Sequence, residues 1–86
     1  MSLSDLKRCH KVIGTKQVKK AIAKGQVQKV YIARDAEPYI IEPIKELCRQ
    51  HQISYELAED MEKLGKACGI NVGSATVAVL NPDTDS

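Results

Sequence analysis

The chain has no tryptophan and no phenylalanine, and its only aromatic side chains are Tyr31, Tyr39 and Tyr55. Readers of single-stranded RNA usually stack bases on several aromatic rings, so an RNP-type or OB-type surface is disfavoured. Three cysteines, Cys9, Cys48 and Cys68, are odd in number, widely spaced and without a C-x-x-C, which argues against a disulfide framework or a zinc site. Reduced, mostly buried thiols are expected instead. The longest largely apolar run, Ala75 to Leu80, is far short of the roughly 18 residues a membrane span needs. Met1 to Lys11 carries charges where a signal peptide would be apolar, so a soluble cytoplasmic protein without membrane partners is expected.

Catalytic signatures are equally scarce. His10 and His51 have no serine or cysteine at motif spacing, and no acid, base and nucleophile are visibly paired, so the chain does not read as an enzyme. Its five glycines fit neither G-x-x-x-x-G-K followed by Ser or Thr nor G-x-G-x-x-G, which excludes the usual nucleotide-hydrolysing and dinucleotide-binding loops. No cofactor and no metal is implied.

What is present is ordinary globular material: 86 residues, 43% hydrophobic and 28% charged. That length makes one small domain, because such a chain buries only about 60–65% of its unfolded surface and cannot sustain two cores. A single domain over residues 1–80 is expected, followed by a mobile acidic tail over 81–86 with nothing to bury.

The formal net charge of +2 conceals a strong asymmetry. Residues 1–29 carry eight basic side chains against Asp5 alone, whereas residues 30–86 carry five basic against ten acidic. A basic segment on a near-neutral protein is the pattern of an anion-binding face, although a lysine-rich helix turned to solvent would leave the same trace.

Periodicity organises the chain. Ser2 or Ser4 can cap a short helix with Leu3, Leu6 and Cys9 on one side, and Val12-Ile13 is a short strand. Thr15 offers an N-cap hydroxyl to a helix over 16–24, whose Val18, Ala21 and Ile22 recur at helical spacing until Gly25. Val30 to Ala33 reads as a strand covered on both faces. Pro43 predicts an irregular turn over 38–41 and a helix from Pro43 to Gln50. Ile53, Tyr55 and Leu57 alternate as in a strand with one more polar face, Asp60 to Cys68 forms a helix stopped by Gly69, and Ala75 to Leu80 is the last strand. Glu59, Asp60 and Glu62 complement the dipole at that helix's start. Alternating strands and helices give an α/β sandwich with a partly parallel sheet.

At about 100° per residue, Lys16, Lys20, Lys24 and Gln17 fall near 0°, 40°, 80° and 100°, opposite Val18, Ala21 and Ile22. Lysines four apart repel, and lysines in a first turn oppose the helix dipole. The arrangement becomes favourable when a polyanion docks, because a helix N-terminus offers free N–H groups and partial positive charge to phosphate. Gly14 allows close backbone approach there, and Thr15 adds a hydroxyl. With so few aromatics, recognition must rest on phosphates, a few polar side chains and shape, which points to a structured RNA.

The segment G-T-K-Q-V-K-K-A-I over residues 14–22, the turn D-A-E-P over 35–38, and K-L-G-K-A-C-G-I-N-V-G-S-A-T-V-A-V over 63–79 together resemble the ribosomal protein L7Ae/L30e family. The likeness runs from about Val12 to Leu80. It implies a three-layer α/β/α sandwich with a four-stranded mixed sheet, and binding of kink-turns, sharply bent RNA duplexes with a bulge beside tandem sheared G·A pairs. By the same resemblance, Gly14, Thr15, Lys16, Gln17 and Lys20 match the helix start that enters the groove beside those pairs, with Lys24 further along the stripe. Glu37 and Ile41 match positions near the flipped-out nucleotide, and Ile70, Asn71, Val72 and Gly73 match the loop that covers the bulge. Archaeal and eukaryotic members carry Asn-Glu where Lys16-Gln17 stands here. Lysine exchanges a directional amide for charge, so a larger salt-dependent share of affinity is expected.

The leading expectation is a monomeric, non-catalytic kink-turn RNA-binding protein acting on ribosomal or regulatory RNA, with the ribosome as a candidate host. A second reading is a ribosome-associated scaffold that binds RNA without kink-turn specificity. A third, a phosphometabolite-binding α/β domain, is weakened by the missing glycine-rich loop.

Overall fold

The computed structural model describes residues 10–70 and 72–81. The expected N-terminal helix, Cys9, Asn71 and residues 82–86 lie outside that set. Seven elements follow one another: β1 (Lys11–Ile13), α1 (Thr15–Ala23), β2 (Val27–Ala33), α2 (Pro38–Gln50), β3 (Ser54–Ala58), α3 (Met61–Ala67) and β4 (Thr76–Leu80).

The strands form one mixed sheet in the order β1-β4-β2-β3. β4 runs antiparallel to β1, pairing Val12 with Ala78, and antiparallel to β2, pairing Tyr31 with Val77. β2 and β3 are parallel, pairing Ile32 with Leu57, and α2 makes the crossover that parallel neighbours require. α1 and α2 pack against each other on one face, and α3 lies against β2, β3 and β4 on the other. This is the expected three-layer sandwich.

Strand composition follows from position. β4 has a neighbour on each side and a layer on each face, and all five of its residues are buried. Val30 to Ala33 of β2 are buried for the same reason. The Thr76 hydroxyl reaches the Thr15 hydroxyl of α1. Alternation then turns Thr76, Ala78, Val30 and Ile32 toward α1 and α2, and Val77, Val79 and Tyr31 toward α3. The helices complete the core with Val18 and Ile22, Ile44 and Cys48, and Leu64. Each buried aliphatic side chain stabilises the fold by about 1.5–3 kcal/mol.

The three helices among the described residues end in the same way. Gly25 donates to the Ile22 carbonyl and Gln26 to Ala21; Gln52 donates to Arg49 and Ile53 to Cys48; Gly69 donates to Lys66 and Ile70 to Gly65. These are paired reverse-turn bonds around a left-handed residue. Gly25 and Gly69 take that conformation freely, whereas Gln52 holds φ of 56° with a full side chain.

Four expectations need correction. Helix α2 begins at Pro38 and runs through Pro43, because Pro38 suits a first helical position and the Ile41, Ile44, Cys48 stripe continues past the second proline. Pro43 is exposed, so the Tyr39 carbonyl it leaves without an N–H donor sits on the solvent side. Thr15 is the first residue of α1 rather than its cap; the capping position is Gly14, with no side-chain bond. Residues Tyr55 and Leu57 do not close an apolar face, because β3 is an edge strand that leaves them 43% and 47% exposed. Asn81, assigned to the tail from sequence, donates its N–H to the Gln26 carbonyl and belongs to the folded unit.

Candidate nucleic-acid interface

The carboxyl ends of β1, β2 and β3 and the amino end of β4 meet at one edge of the sheet, which is where α/β folds present their loops to ligands. Three segments converge there: Gly14 with the first turn of α1, residues 34–37 leading into α2, and residues 70–75 leading into β4.

Hydrogen bonds from backbone and side chain fix their relative positions. The Thr76 carbonyl accepts the Gly14 N–H at 3.0 Å and the Ser74 hydroxyl at 2.8 Å, joining the α1 start to the 70–75 loop. Ala33 donates to Ala75 at 2.8 Å. Met61, first in α3, donates to Asp35 Oδ1 at 2.9 Å while its carbonyl accepts Ser74 N–H at 3.1 Å, so it ties the 34–37 segment to the same loop. Gly65 permits the closest approach: a Cβ there would collide with the Val72 carbonyl oxygen.

The helix starts differ in chemistry. At α3, Asp60 caps the Lys63 N–H at 2.7 Å and Asp35 takes that of Met61, so the helix's own neighbourhood supplies the anions. At α1, no side chain caps the end and no acidic residue stands in the first turn. Gly14 adopts φ 101° and ψ 146°, a conformation open essentially to glycine alone, and points the chain into the helix. The first helical bond runs from Val18 N–H to the Gly14 carbonyl, so the N–H groups of Thr15, Lys16 and Gln17 precede the first helical donor and remain available to an external anion.

Charge pairing shows the same division. Lys29 pairs with Glu56, Lys45 with Glu42, Arg49 with Glu46, Lys63 with Glu59 and Lys66 with Glu62. The Glu59 carboxylate bonds Lys63 and pushes that ammonium's pKa upward. By contrast, Lys16, Lys19, Lys20 and Lys24 have no carboxylate partner among the described residues, and all are exposed. Pairing on α2 and α3 and its lack on α1 leave a concentrated positive stripe beside the open helix end.

The sequence-predicted positions sort clearly. Lys16, Gln17 and Lys20 are exposed together on α1, while Gly14 and Thr15 are half-buried at its start. Lys24 lies at the far end of α1, about 12 Å along the axis from Lys16. Glu37 is exposed at the start of α2; Val72, 70% exposed, and Gly73 are on the surface, with Ile70 half-buried behind them. Ile41 is only 8% exposed and packs in the core, so the surface position expected for it is not where the fold puts it. Asn71 is not among the described residues. Sequence reasoning passed over Lys19, Arg34 and Tyr39. Lys19 was signalled by its three-residue offset from Lys16; Arg34 and Tyr39 flank the D-A-E-P turn but show no periodicity of their own.

The remaining chemistry is structural. Cys48 and Cys68 are free and buried, and burial raises both thiol pKa values, which makes them poor nucleophiles. Among the described residues no three His, Cys, Asp or Glu side chains are grouped to hold a metal ion. No helix of the described residues is long and apolar enough to cross a membrane.

Known proteins resemble this chain in sequence and in fold. Residues 4–86 match the family described as ribosomal protein L7Ae/L30e/S12e/Gadd45. An RNA-binding protein of Halalkalibacterium halodurans, BH0128, is 48% identical over 68 residues, covering 79% of this chain and 83% of that protein. The RNA-binding protein YbxF of Geobacillus stearothermophilus is 42% identical over 69 residues, covering 80% and 84%. Among solved structures, a protein of unknown function from Bacillus halodurans superposes with a TM-score of 0.85 at 26% identity, over 93% of this chain and 84% of that one. The Giardia lamblia 15.5kD RNA binding protein gives the same TM-score at 23% identity, over 94% and 72%, and so shares the fold. With residues 4–86 matched and a relative 48% identical over 79% of its length, the chain belongs to the ribosomal protein L7Ae/L30e/S12e/Gadd45 family.

Proposed function

We propose that this protein is a non-catalytic RNA-binding module that recognises and stabilises kink-turns in structured RNA, acting as a monomer on ribosomal or regulatory RNA in the cytoplasm. The observation that carries the reading is the uncapped α1 start beside four unpaired lysines, when every other helix-borne lysine among the described residues is matched by a carboxylate. Family membership and the names of the relatives supply the ligand class. In this reading the Gly14 to Gln17 segment enters the groove, its free N–H groups and the Lys16, Lys20 and Lys24 ammonium groups take phosphates, and Gln17 meets base edges. Glu37 faces an unpaired nucleotide, and the Ile70, Asn71, Val72, Gly73 loop covers the bulge with apolar surface.

The test is titration of a labelled kink-turn RNA beside a control differing only in its G·A pairs, at two salt concentrations. Tight binding lost with those pairs supports the reading. Equal, strongly salt-dependent binding to both would reduce the protein to a basic RNA scaffold, and binding to neither would remove RNA as the ligand. Gln17→Ala is expected to lower the preference for the G·A-containing RNA, and Lys20→Ala to weaken binding to both RNAs alike.

A further inference from the structure

The α1 stripe explains phosphate contacts but leaves one exposed feature of the same sheet edge unused. Tyr39 is 75% exposed, more than any other large hydrophobic side chain among the described residues. The other two tyrosines are placed differently: Tyr31 is fully buried, and Tyr55 sits midway along the edge strand β3. Tyr39 alone stands at the end of the sheet where the α1 start and the 70–75 loop converge. Its segment is joined to that loop through Met61, whose N–H meets Asp35 and whose carbonyl meets Ser74. Val72, the next most exposed large apolar residue, belongs to the loop so joined.

We propose that Tyr39 is a stacking platform for an unstacked base of the bound RNA, so that this chain reads one unpaired nucleotide through an aromatic face as well as phosphates through α1. The inference rests on the proposed function above. Charge selects a base over a phosphate at this place. Asp35 and Glu37 precede Tyr39, and Glu37 is exposed with no cap bond to occupy it. A carboxylate repels phosphate but accepts hydrogen bonds from amino and imino groups on a base edge. Arg34, exposed and without a carboxylate partner among the described residues, stands on the other side of the turn to meet that nucleotide's own phosphate. The platform is rigid: Pro38 sets the first helical φ, Tyr39 is already in helix α2, and its ring has only two side-chain torsions to fix. A solvated tyrosine needs none of these neighbours; a base-stacking one uses each.

The experiment titrates wild type, Tyr39→Ala and Tyr39→Phe with three kink-turn RNAs: one intact, one abasic at a bulge position, and one with 2-aminopurine there, each bulge position being tried in turn. Expected are a loss of about fivefold to 150-fold for Tyr39→Ala on the intact RNA, near wild-type binding for Tyr39→Phe, and equal binding of wild type and Tyr39→Ala to the RNA abasic at the stacked position. Quenching of 2-aminopurine at that position by wild type and Tyr39→Phe, but not by Tyr39→Ala, completes the expected result. The inference is overturned if Tyr39→Ala binds the intact RNA like wild type, or if its loss is the same on every abasic RNA. Wild type also serves on the control RNA without G·A pairs, so failure of kink-turn recognition is seen separately from failure of stacking, which is then scored on whichever bulged RNA wild type binds.

Discussion

The Gly14 N–H and the Thr76 carbonyl meet at 3.0 Å, joining the capping position of α1 to the first residue of the central strand β4. Because the same oxygen also accepts the Ser74 hydroxyl, the position of the open α1 start and that of the 70–75 loop are set by one backbone group. The strand beneath is fully buried, so this junction has little freedom to drift. The α1 start and the 70–75 loop are thereby held at one fixed spacing, by the Gly14 N–H and the Ser74 hydroxyl on a shared oxygen.

Gly14 itself is the first position to test. At φ 101° and ψ 146° a side chain is strained although nothing stands within 4 Å of a Cβ, so the cost is one of backbone alone. Gly14→Ala and Gly14→Asn are both expected to lower unfolding free energy by about 1–3 kcal/mol. Gly25, at φ 70° in a helix-ending turn, is the contrast, since asparagine tolerates that left-handed region. Urea unfolding of the two Asn variants should show Gly25→Asn losing clearly less than Gly14→Asn.

The end of α1 and both ends of α3 were legible in the sequence because Gly25, Asp60 and Gly69 announce themselves locally, whereas the start of α1 was set one residue late by taking Thr15 for its cap. The start of α2 was not, since a helix interrupted by Pro43 looks impossible until the buried stripe of Ile41, Ile44 and Cys48 is seen to outweigh one hydrogen bond lost on the exposed side. The half-exposure of Tyr55 and Leu57 was hidden as well, because alternation reveals which residues share a face but not whether a strand lies at a sheet edge. Among the site residues, the lysine stripe could be computed from helical spacing, whereas the sorting of Ile41 inward and Tyr39 outward depends on where α2 starts and how it rolls onto the sheet.

Gln52 offers a stabilising change. It holds φ 56° at the end of α2, where Gly25 and Gly69 occupy the equivalent places in α1 and α3. Relief of the Cβ strain is worth about 1–2 kcal/mol, part of which is offset by the greater freedom of glycine in the unfolded chain. Gln52→Gly is therefore expected to raise the midpoint of thermal unfolding by a few degrees without altering RNA affinity, as differential scanning calorimetry and a parallel titration would show.

Gly65 is predicted to separate stability from binding geometry least well, and for a definite reason. A methyl group there would strike the backbone carbonyl of Val72, which cannot rotate away as a side chain could. Gly65→Ala should push the 70–73 segment off α3 and weaken kink-turn binding beyond any effect of the destabilisation it causes. Gly73→Ala is the milder comparison, because its Cβ would approach the Met61 Cβ at 3.1 Å and the Met61 carbonyl carbon and oxygen at 3.2 and 3.3 Å, a crowding that a shift of a few tenths of an ångström relieves. Affinities compared at a temperature where both variants are fully folded by circular dichroism would reveal the order wild type, Gly73→Ala, Gly65→Ala.

The division between paired and unpaired lysines makes the sharpest electrostatic prediction. Neutralising about three phosphates gives a slope near −2 to −3 when log affinity is plotted against log salt concentration, and each lysine lost from the contact should flatten it by about one unit or somewhat less. Lys16→Ala and Lys20→Ala are expected to do so, since neither ammonium has a carboxylate among the described residues to release on binding. Lys63→Ala should leave the slope unchanged, because Lys63 is neutralised by Glu59 at 2.6 Å and stands on α3. A flattening by Lys63→Ala as large as that by Lys20→Ala would mean that RNA samples the whole basic surface rather than the α1 stripe, and the groove-entering role of the Gly14 to Lys20 segment would have to be abandoned.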